Sequence, residues 1–239
     1  MSLGIYLILL KLLLSYFLSL PECSYKDKDE APLLQQANQI YLALAIENLS
    51  SETFLMAYEG YSKLLSQQYL IRDTILTIID YSKPSDQERL FVIDMKNRKL
   101  LCKSLVAHGK GSGEKVAQSF SNQPSSHKSC LGFFITGNSY NGKHGYSLRI
   151  VGVENGINCN ALSRTIVFHG ASYVNKKYIE KNGRLGRSFG CPALPFESNQ
   201  SIIDSIKNSS CIFIFGRDES YFKNTNLINP SSYSQIVVE

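Results

Sequence analysis

Short runs of β-branched and aromatic residues, separated by clusters of Gly, Ser, Asn and Pro, dominate the chain from residue 75 onward. This alternation is typical of strands joined by turns. It predicts strands at residues 75–79, 90–94, 100–107, 131–136, 147–151, 165–168 and 211–215. Helical spacing of apolar positions predicts one later helix at residues 198–207. We therefore expect a mainly β domain with minor helices, arranged as a β-sandwich or a part-open barrel.

Residues 31–68, ahead of this region, have a helical pattern instead. Leu33, Ile40 and Leu44 recur at helical spacing in a first run, and a second run of apolar residues begins at Phe54. Ser50 precedes the second run and has the side chain that an N-cap requires. We expect these N-terminal helices to pack on the main domain, and they carry no visible chemistry.

The first residues of the chain form an almost wholly apolar run from Leu3 to Leu20, broken by Lys11 and a few serines. As a helix this run would be about 27 Å long, close to the hydrocarbon thickness of a bilayer. It predicts either a secretory signal peptide or an uncleaved membrane anchor, with a buried core helix as the alternative. Either export reading places the rest of the chain outside the cytoplasm, in the periplasm or cell envelope, with anchoring to the inner membrane left open.

These patterns divide the chain into four parts. We expect a signal peptide or anchor at residues 1–22, a helical prelude at 23–72, the mainly β domain at 73–220 and a C-terminal tail at 221–239.

Composition excludes several classes of protein. The 239 residues carry 25 Lys and Arg against 20 Asp and Glu, a mild excess without any basic run, which argues against nucleic-acid binding. The six cysteines are scattered and form no CxxC pair, so their spacing predicts no zinc site. Four of them are expected to be buried or structural, with one disulfide among them left open: Cys102, Cys130, Cys159 and Cys211.

The densest run of unusual residues is 182–195, which contains Cys191 between Gly190 and a proline. Glycine permits close approach of the backbone, and proline fixes φ, so this sequence predicts a tight turn that presents a thiol. Arg184 and Arg187 lie just upstream, where they would favour a thiolate and bind a carboxylate. A buried free cysteine and a disulfide are the alternatives for Cys191.

A thiol nucleophile also needs a base, and the best candidate is His169. It ends the predicted strand 165–168 and is followed by Gly170. Together with Cys191 it would form the Cys/His pair of nucleophilic catalysis. His108, at another strand end before a glycine, is the rival base, with a structural or groove role as its alternative. A zinc site made by Cys191 and the three histidines His108, His144 and His169 is a further alternative.

His169-Gly170, followed by Ser188-Phe189-Gly190-Cys191, resembles the signature of the L,D-transpeptidases of the YkuD type. The likeness is closer to a divergent branch, the murein L,D-transpeptidase catalytic-domain-like proteins. It rests on further segments and covers roughly residues 75–216; the segments are 78–84, 106–109, 132–134, 140–148 and 183–188. Phe189 stands where the main family has His, and Ala193 stands where it has Arg or Asn.

The resemblance implies an L,D-transpeptidase-like β-sandwich and a two-step acyl transfer on peptidoglycan stem peptides. Cys191 would attack the carbonyl of the third residue of a tetrapeptide stem, release D-Ala and pass the acyl group to an amine, giving a 3–3 cross-link or an exchanged D-amino acid. His169 would move the proton, and the Gly170 carbonyl would orient the imidazole. The Cys191 and Gly190 N–H groups would hold the oxyanion. No metal or organic cofactor is required.

The same resemblance assigns substrate binding to a set around this pair. Arg184 and Arg187 would bind substrate carboxylates, while Ser188, His144, Tyr146 and His108 would line the groove. Two other functions stay open. One is an L,D-carboxypeptidase or another cysteine peptidase or amidase, with water as acceptor. The other is a non-catalytic module that binds the cell wall or another partner.

Overall fold

The structure, a computed structural model, describes residues 27–229. The predicted signal peptide or anchor from Leu3 to Leu20 lies outside these residues. Within them, no helix combines the length and the apolar character that a membrane span needs.

Five helices and eight strands make up the described chain, together with one short 3-10 turn at Lys110–Ser112. The helices are α1 (Asp27–Leu44), α2 (Ser51–Ser66), α3 (Lys176–Asn182), α4 (Phe196–Ile206) and α5 (Glu219–Asn224). The strands are β1 (Ile75–Asp80), β2 (Leu90–Asp94), β3 (Lys99–Ser104), β4 (Gly132–Gly142), β5 (Gly145–Gly152), β6 (Val167–Gly170), β7 (Ala193–Leu194) and β8 (Cys211–Phe215). All seven predicted strands and the predicted helices are present. Strands β2 and β8 have the predicted bounds, and the other elements have shifted ends. The sequence does not predict α3, α5 or β7.

The eight strands form one sheet in the order β3-β2-β1-β8-β4-β5-β6-β7. The β1–β8 and β6–β7 pairs are parallel, and the other neighbours are antiparallel. Isolated bridges from Ala107 to Ala193 and from Gly109 to Ser188 connect the segment after β3 with the segment leading into β7. They bring the two edges of the sheet together, so that the sheet is nearly closed. The prediction of a mainly β fold with minor helices after N-terminal helices is confirmed.

The chain divides into two compact units at Leu33. Of the first unit, the structure describes residues 27–33, which are helical. In the second unit, α2 packs on the fully buried strands β1 and β8. Ser50 caps α2 as predicted, with its side-chain oxygen accepting a hydrogen bond from the Thr53 amide at 3.1 Å. Burial on both faces explains why β8 is a continuous apolar run and why β1 is apolar at four of its six positions rather than alternating.

Arg89 is the largest fully buried side chain of the described residues. Its guanidinium donates to the Val106 carbonyl at 2.9 and 3.1 Å and to the Lys83 carbonyl at 2.7 Å, and it contacts His108 Nδ1 at 2.8 Å. It also stacks 4.8 Å from the centre of the Tyr81 ring. Burial lowers the pKa of Arg89 to about 10. The guanidinium, just before β2, therefore connects the loop after β1 with the segment after β3. It does so through backbone carbonyls rather than through a carboxylate.

Candidate active site

His169 lies near the end of β6, and only 5% of its surface is exposed. Its Nδ1 is 3.0 Å from the Gly170 carbonyl, which requires Nδ1 to carry the proton because a carbonyl can only accept. His144 stacks on the imidazole with ring centres 4.7 Å apart. Burial lowers the pKa of His169, and His144 lowers it further. The imidazole is thus held neutral and oriented, with the lone pair of Nε2 available to take a proton.

Cys191 lies in the tight segment that leads into β7, and its side chain is half-buried. The preceding Gly190 has a φ of 126°, in the region that favours glycine. A Cβ at Gly190 would lie 2.9 Å from both Ile166 Cδ1 and the Lys128 carbonyl, so there is no room for a side chain. Ser188 holds the segment by donating to the Cys191 carbonyl at 2.6 Å. The Gly-Cys-Pro sequence therefore forms a tight, presented turn.

The thiol of Cys191 points at the Thr165 carbonyl, 3.6 Å from Sγ. Burial raises the pKa of this thiol, while a hydrogen bond from the Val167 amide and the charge of Arg164 partly offset the effect. Cys191 is therefore a neutral thiol at neutral pH, and it needs a base before it can act as a nucleophile.

The pairing register of β6 and β7 gives the relative position of His169 and Cys191 along the strand direction. His169 pairs with Ala193, so Cys191 lies two positions upstream, level with Val167. At about 3.3 Å per residue, the offset along the strand is roughly 6–7 Å. The two side chains are on adjacent strands but form no hydrogen bond with each other in the described structure. Rotation of the thiol away from Thr165 would be needed to bring Sγ toward the imidazole.

One of the two N–H groups predicted to hold the oxyanion already donates a hydrogen bond within the chain. The Gly190 N–H donates to Ser188 Oγ at 3.0 Å, which corrects the predicted pair of Gly190 and Cys191 amides. The Cys191 N–H has no acceptor among the described residues. Ser188 is itself buried and bonded within its own turn, so it shapes the nucleophile segment rather than lining a groove.

Arg184 and Arg187 together bind a carboxylate, which is that of Glu114 from the same chain. Arg184 Nε lies 2.9 Å from Glu114, and Arg187 Nη1 lies 2.7 Å from the other oxygen of the same carboxylate. The Glu114 side chain is 70% exposed, so the pair forms an open anion site. The cation whose charge acts on Cys191 is instead Arg164, which the sequence analysis misses. No local feature of the sequence indicates this role, because it depends on the pairing of β6 with β7.

Two other residues predicted to line the groove, His144 and Tyr146, lie in different surroundings. His144 is exposed and, with His169 and Phe196, lines an open cavity of about 410 Å³. Tyr146 lies beside α4, where its hydroxyl donates to Asp204 at 2.7 Å.

His108 is fully buried, and both of its ring nitrogens are engaged, by Arg89 at 2.8 Å and by the Gly113 carbonyl at 3.2 Å. Burial is the main reason that its pKa falls to about 4. Of its predicted roles, the structural one fits this position; the surface that a substrate reaches does not include it.

The cysteines differ from their predicted roles in two respects. All five described cysteines are free, so the open alternative of a disulfide among them is not realised. Cys159 is exposed rather than buried. Within residues 27–229, no three His, Cys, Asp or Glu side chains come together as metal ligands.

Among the three described cysteines that are not buried, Cys102, Cys159 and Cys191, the last two should differ in alkylation by iodoacetamide. Hydrogen bonds from Asn122 and from nearby amides lower the pKa of Cys159, whereas burial raises that of Cys191. Because the thiolate is the reactive form, Cys159 should be labelled first at pH 7, and labelling of Cys191 should accelerate as the pH rises past 9. Mass spectrometry of tryptic fragments separates the two sites. Faster labelling of Cys191 at pH 7 would contradict this assignment, and Cys159→Ala removes the competing signal.

Several solved structures are similar to this chain. An L,D-transpeptidase from Mycobacterium smegmatis is 13% identical with a TM-score of 0.37, and the match covers 60% of this chain and 59% of that one. One from Xylanimonas cellulosilytica is 12% identical with a TM-score of 0.36, covering 77% and 93%. The helical cell-shape-determining protein Pgp2 from Campylobacter jejuni is 13% identical with a TM-score of 0.40, covering 70% and 55%.

A comparison with curated proteins finds no match. The protein family described as the L,D-transpeptidase catalytic domain matches residues 45–215. This match spans most of the chain, including β1 to β8 and both His169 and Cys191. The chain therefore belongs to the L,D-transpeptidase catalytic domain family.

Proposed function

We propose that this protein is a peptidoglycan L,D-transpeptidase that forms a thioester on Cys191. The observation that carries the proposal is the β6–β7 register, with Cys191 two positions from the partner of His169 on the adjacent strand. Family membership supports peptidoglycan as the substrate. That substrate implies a place of action in the cell envelope or periplasm.

The first half of the reaction transfers an acyl group to sulfur. His169 Nε2 takes the proton from Cys191 Sγ, and the sulfur attacks the carbonyl of the third residue of a tetrapeptide stem. The C–N bond to the terminal D-Ala then breaks, and the leaving amine takes the proton from His169. The Gly170 carbonyl keeps the imidazole in the required tautomer through Nδ1. The free Cys191 N–H is the donor proposed for the oxyanion.

In the second half, an amine from a neighbouring stem attacks the thioester. The proton that this amine loses passes through His169 to the departing Cys191 sulfur, which restores the thiol. The product is a 3–3 cross-link. A D-amino acid as acceptor would give exchange at the same position, and water would give a shortened stem.

Recognition of the substrate would use the anion site of Arg184 and Arg187. Arg–carboxylate pairs are directional and charge-assisted, and these two guanidinium groups already hold one carboxylate between them. A substrate carboxylate would bind there in place of Glu114. The cavity beside His144 and His169 would receive the part of the stem next to the scissile bond.

Intact-protein mass spectrometry with a disaccharide-tetrapeptide muropeptide tests the proposal. The full chain should gain the mass of the muropeptide minus D-Ala, and free D-Ala should appear. Trypsin cleaves after Arg187 and Lys207, so residues 188–207 form a fragment with Cys191 as its one cysteine. The adduct should be found on that fragment, and a cross-linked dimer should follow when acceptor stems accumulate.

The outcomes separate the candidate activities. A shortened stem without any dimer, even at high concentrations of acceptor, would replace transpeptidation with carboxypeptidase activity while keeping the thioester. Absence of both adduct and D-Ala, from a protein whose Cys191 still reacts with iodoacetamide, would overturn the proposal.

A further inference from the structure

A large open groove lies away from Cys191 and His169. It has a volume of about 1010 Å³ and runs between the end of β3, helix α3 and the start of α4. Pro195 is part of its wall and lies four residues downstream of Cys191. The groove shares none of its lining with the cavity beside His169.

The charges on the groove wall are mostly positive. Four lysines line it, Lys103, Lys176, Lys177 and Lys181, against two glutamates, Glu88 and Glu197. All four lysines are exposed. Lys103 lies 3.5 Å from Glu88, whereas the three lysines of α3 have no ion-pair partner among residues 27–229.

The placement of the α3 lysines is unfavourable for the helix itself. Lys177 and Lys181 are four positions apart, so they lie on the same face and repel each other. Glu180, the acidic residue of this helix, is not part of the groove wall. Positive charge is therefore concentrated on the groove side, since Glu180, although four positions from Lys176, forms no ion pair with an α3 lysine among the described residues.

We propose that this groove binds an acidic peptide that also carries a free amine. Several carboxylates of the peptide would pair with the α3 lysines, and the amine would pair with Glu197 or Glu88. The mixed lining favours such a peptide over a phosphate polymer, whose charge repeats at every unit and would be repelled by both glutamates. The lining also lacks arginine, the side chain best suited to bidentate phosphate binding. This binding surface goes beyond the proposed acyl transfer and does not depend on it.

Isothermal titration calorimetry of the full chain tests the groove. The probe is a synthetic peptide of three glutamates and one lysine with a free amino terminus, and its glutamine analogue is the uncharged reference. Wild type should bind the acidic peptide, with weaker binding as salt increases. The double variant K177Q/K181Q should weaken binding by about three- to tenfold. The control K96Q/K99Q removes the same charge from exposed lysines outside the groove and should bind as wild type does.

Each contrary outcome overturns a part of the assignment. Equal weakening in the two double variants would mean that net charge, rather than the groove, attracts the peptide. Tighter binding of polyphosphate than of the peptide would assign the groove to a phosphate polymer. No binding of the peptide by wild type would remove the groove as a binding surface. Because the readout is binding alone, none of these results depends on whether Cys191 forms a thioester.

Discussion

Cys191→Ala is expected to lower the rate of D-Ala release by about four to six orders of magnitude, the effect of removing a covalent nucleophile. The physical reason is that the turn offers no second nucleophile: Gly190 has no side chain, and Ser188 Oγ is bonded to the Cys191 carbonyl and the Gly190 amide. The thiol makes only weak backbone contacts, to the Thr165 carbonyl and the Val167 amide, so its removal should cost less than about 1 kcal/mol of stability. Release of D-Ala is measured by coupled oxidation, alongside thermal unfolding of the same samples.

Cys159→Ala is the matched control, because Cys159 is an exposed thiol outside the turn. It should keep the wild-type rate within about twofold. A Cys191→Ala protein that is folded and retains more than a tenth of the wild-type rate would exclude the thioester route.

Arg89→Leu is expected to lower the free energy of unfolding by about 3 kcal/mol. The substitution leaves the Lys83 and Val106 carbonyls and His108 Nδ1 without their buried donor. Each unpaired buried group costs about 1–3 kcal/mol, and the relief of no longer burying a guanidinium charge offsets part of the sum. Urea unfolding measures the loss in free energy of unfolding. The slope of that free energy against urea concentration should be the same for the variant and the wild type.

The control is Arg217→Leu, which removes an exposed guanidinium and should change the free energy of unfolding by less than about 0.5 kcal/mol. The Arg89 variant should also loosen the nucleophile segment, because the His108 carbonyl accepts the Ser188 amide at 3.0 Å. A loss below about 1 kcal/mol would mean that water replaces the guanidinium at these carbonyls.

Local patterns predict most of the strands, and they also single out His169 and Cys191 as the candidate pair. β1 and β8 are runs of apolar residues bounded by turns, and the glycine after His169 and the Gly-Cys-Pro turn are local features of the sequence. β7 escapes prediction because two residues are too few to show a period. The predicted start of β6 at residue 165 is two residues early, since Thr165 has a φ of 53° and so cannot extend the strand.

Contacts between distant segments determine the features of the site that the sequence does not reveal. Charge alone predicts that Arg184 and Arg187 bind a carboxylate, but the fold supplies Glu114 from a loop about seventy residues upstream. The amide of Gly190 is predicted as an oxyanion donor because the sequence does not reveal that the Ser188 side chain turns back to accept it. Arg164 reaches the cysteine because β6 and β7 pair, which no local pattern indicates.

The near-closure of the sheet places Cys191 at a seam rather than inside a continuous ladder of hydrogen bonds. The edges of the sheet meet through the two isolated bridges at Ala107–Ala193 and Gly109–Ser188, and the nucleophile lies in the segment between their partners, Ser188 and Ala193. A continuous ladder opens cooperatively, whereas separate bridges can part by local breathing at a small fraction of the global unfolding free energy. On the proposed function, a cross-linked polymer with no free end to thread would therefore enter sideways at this junction.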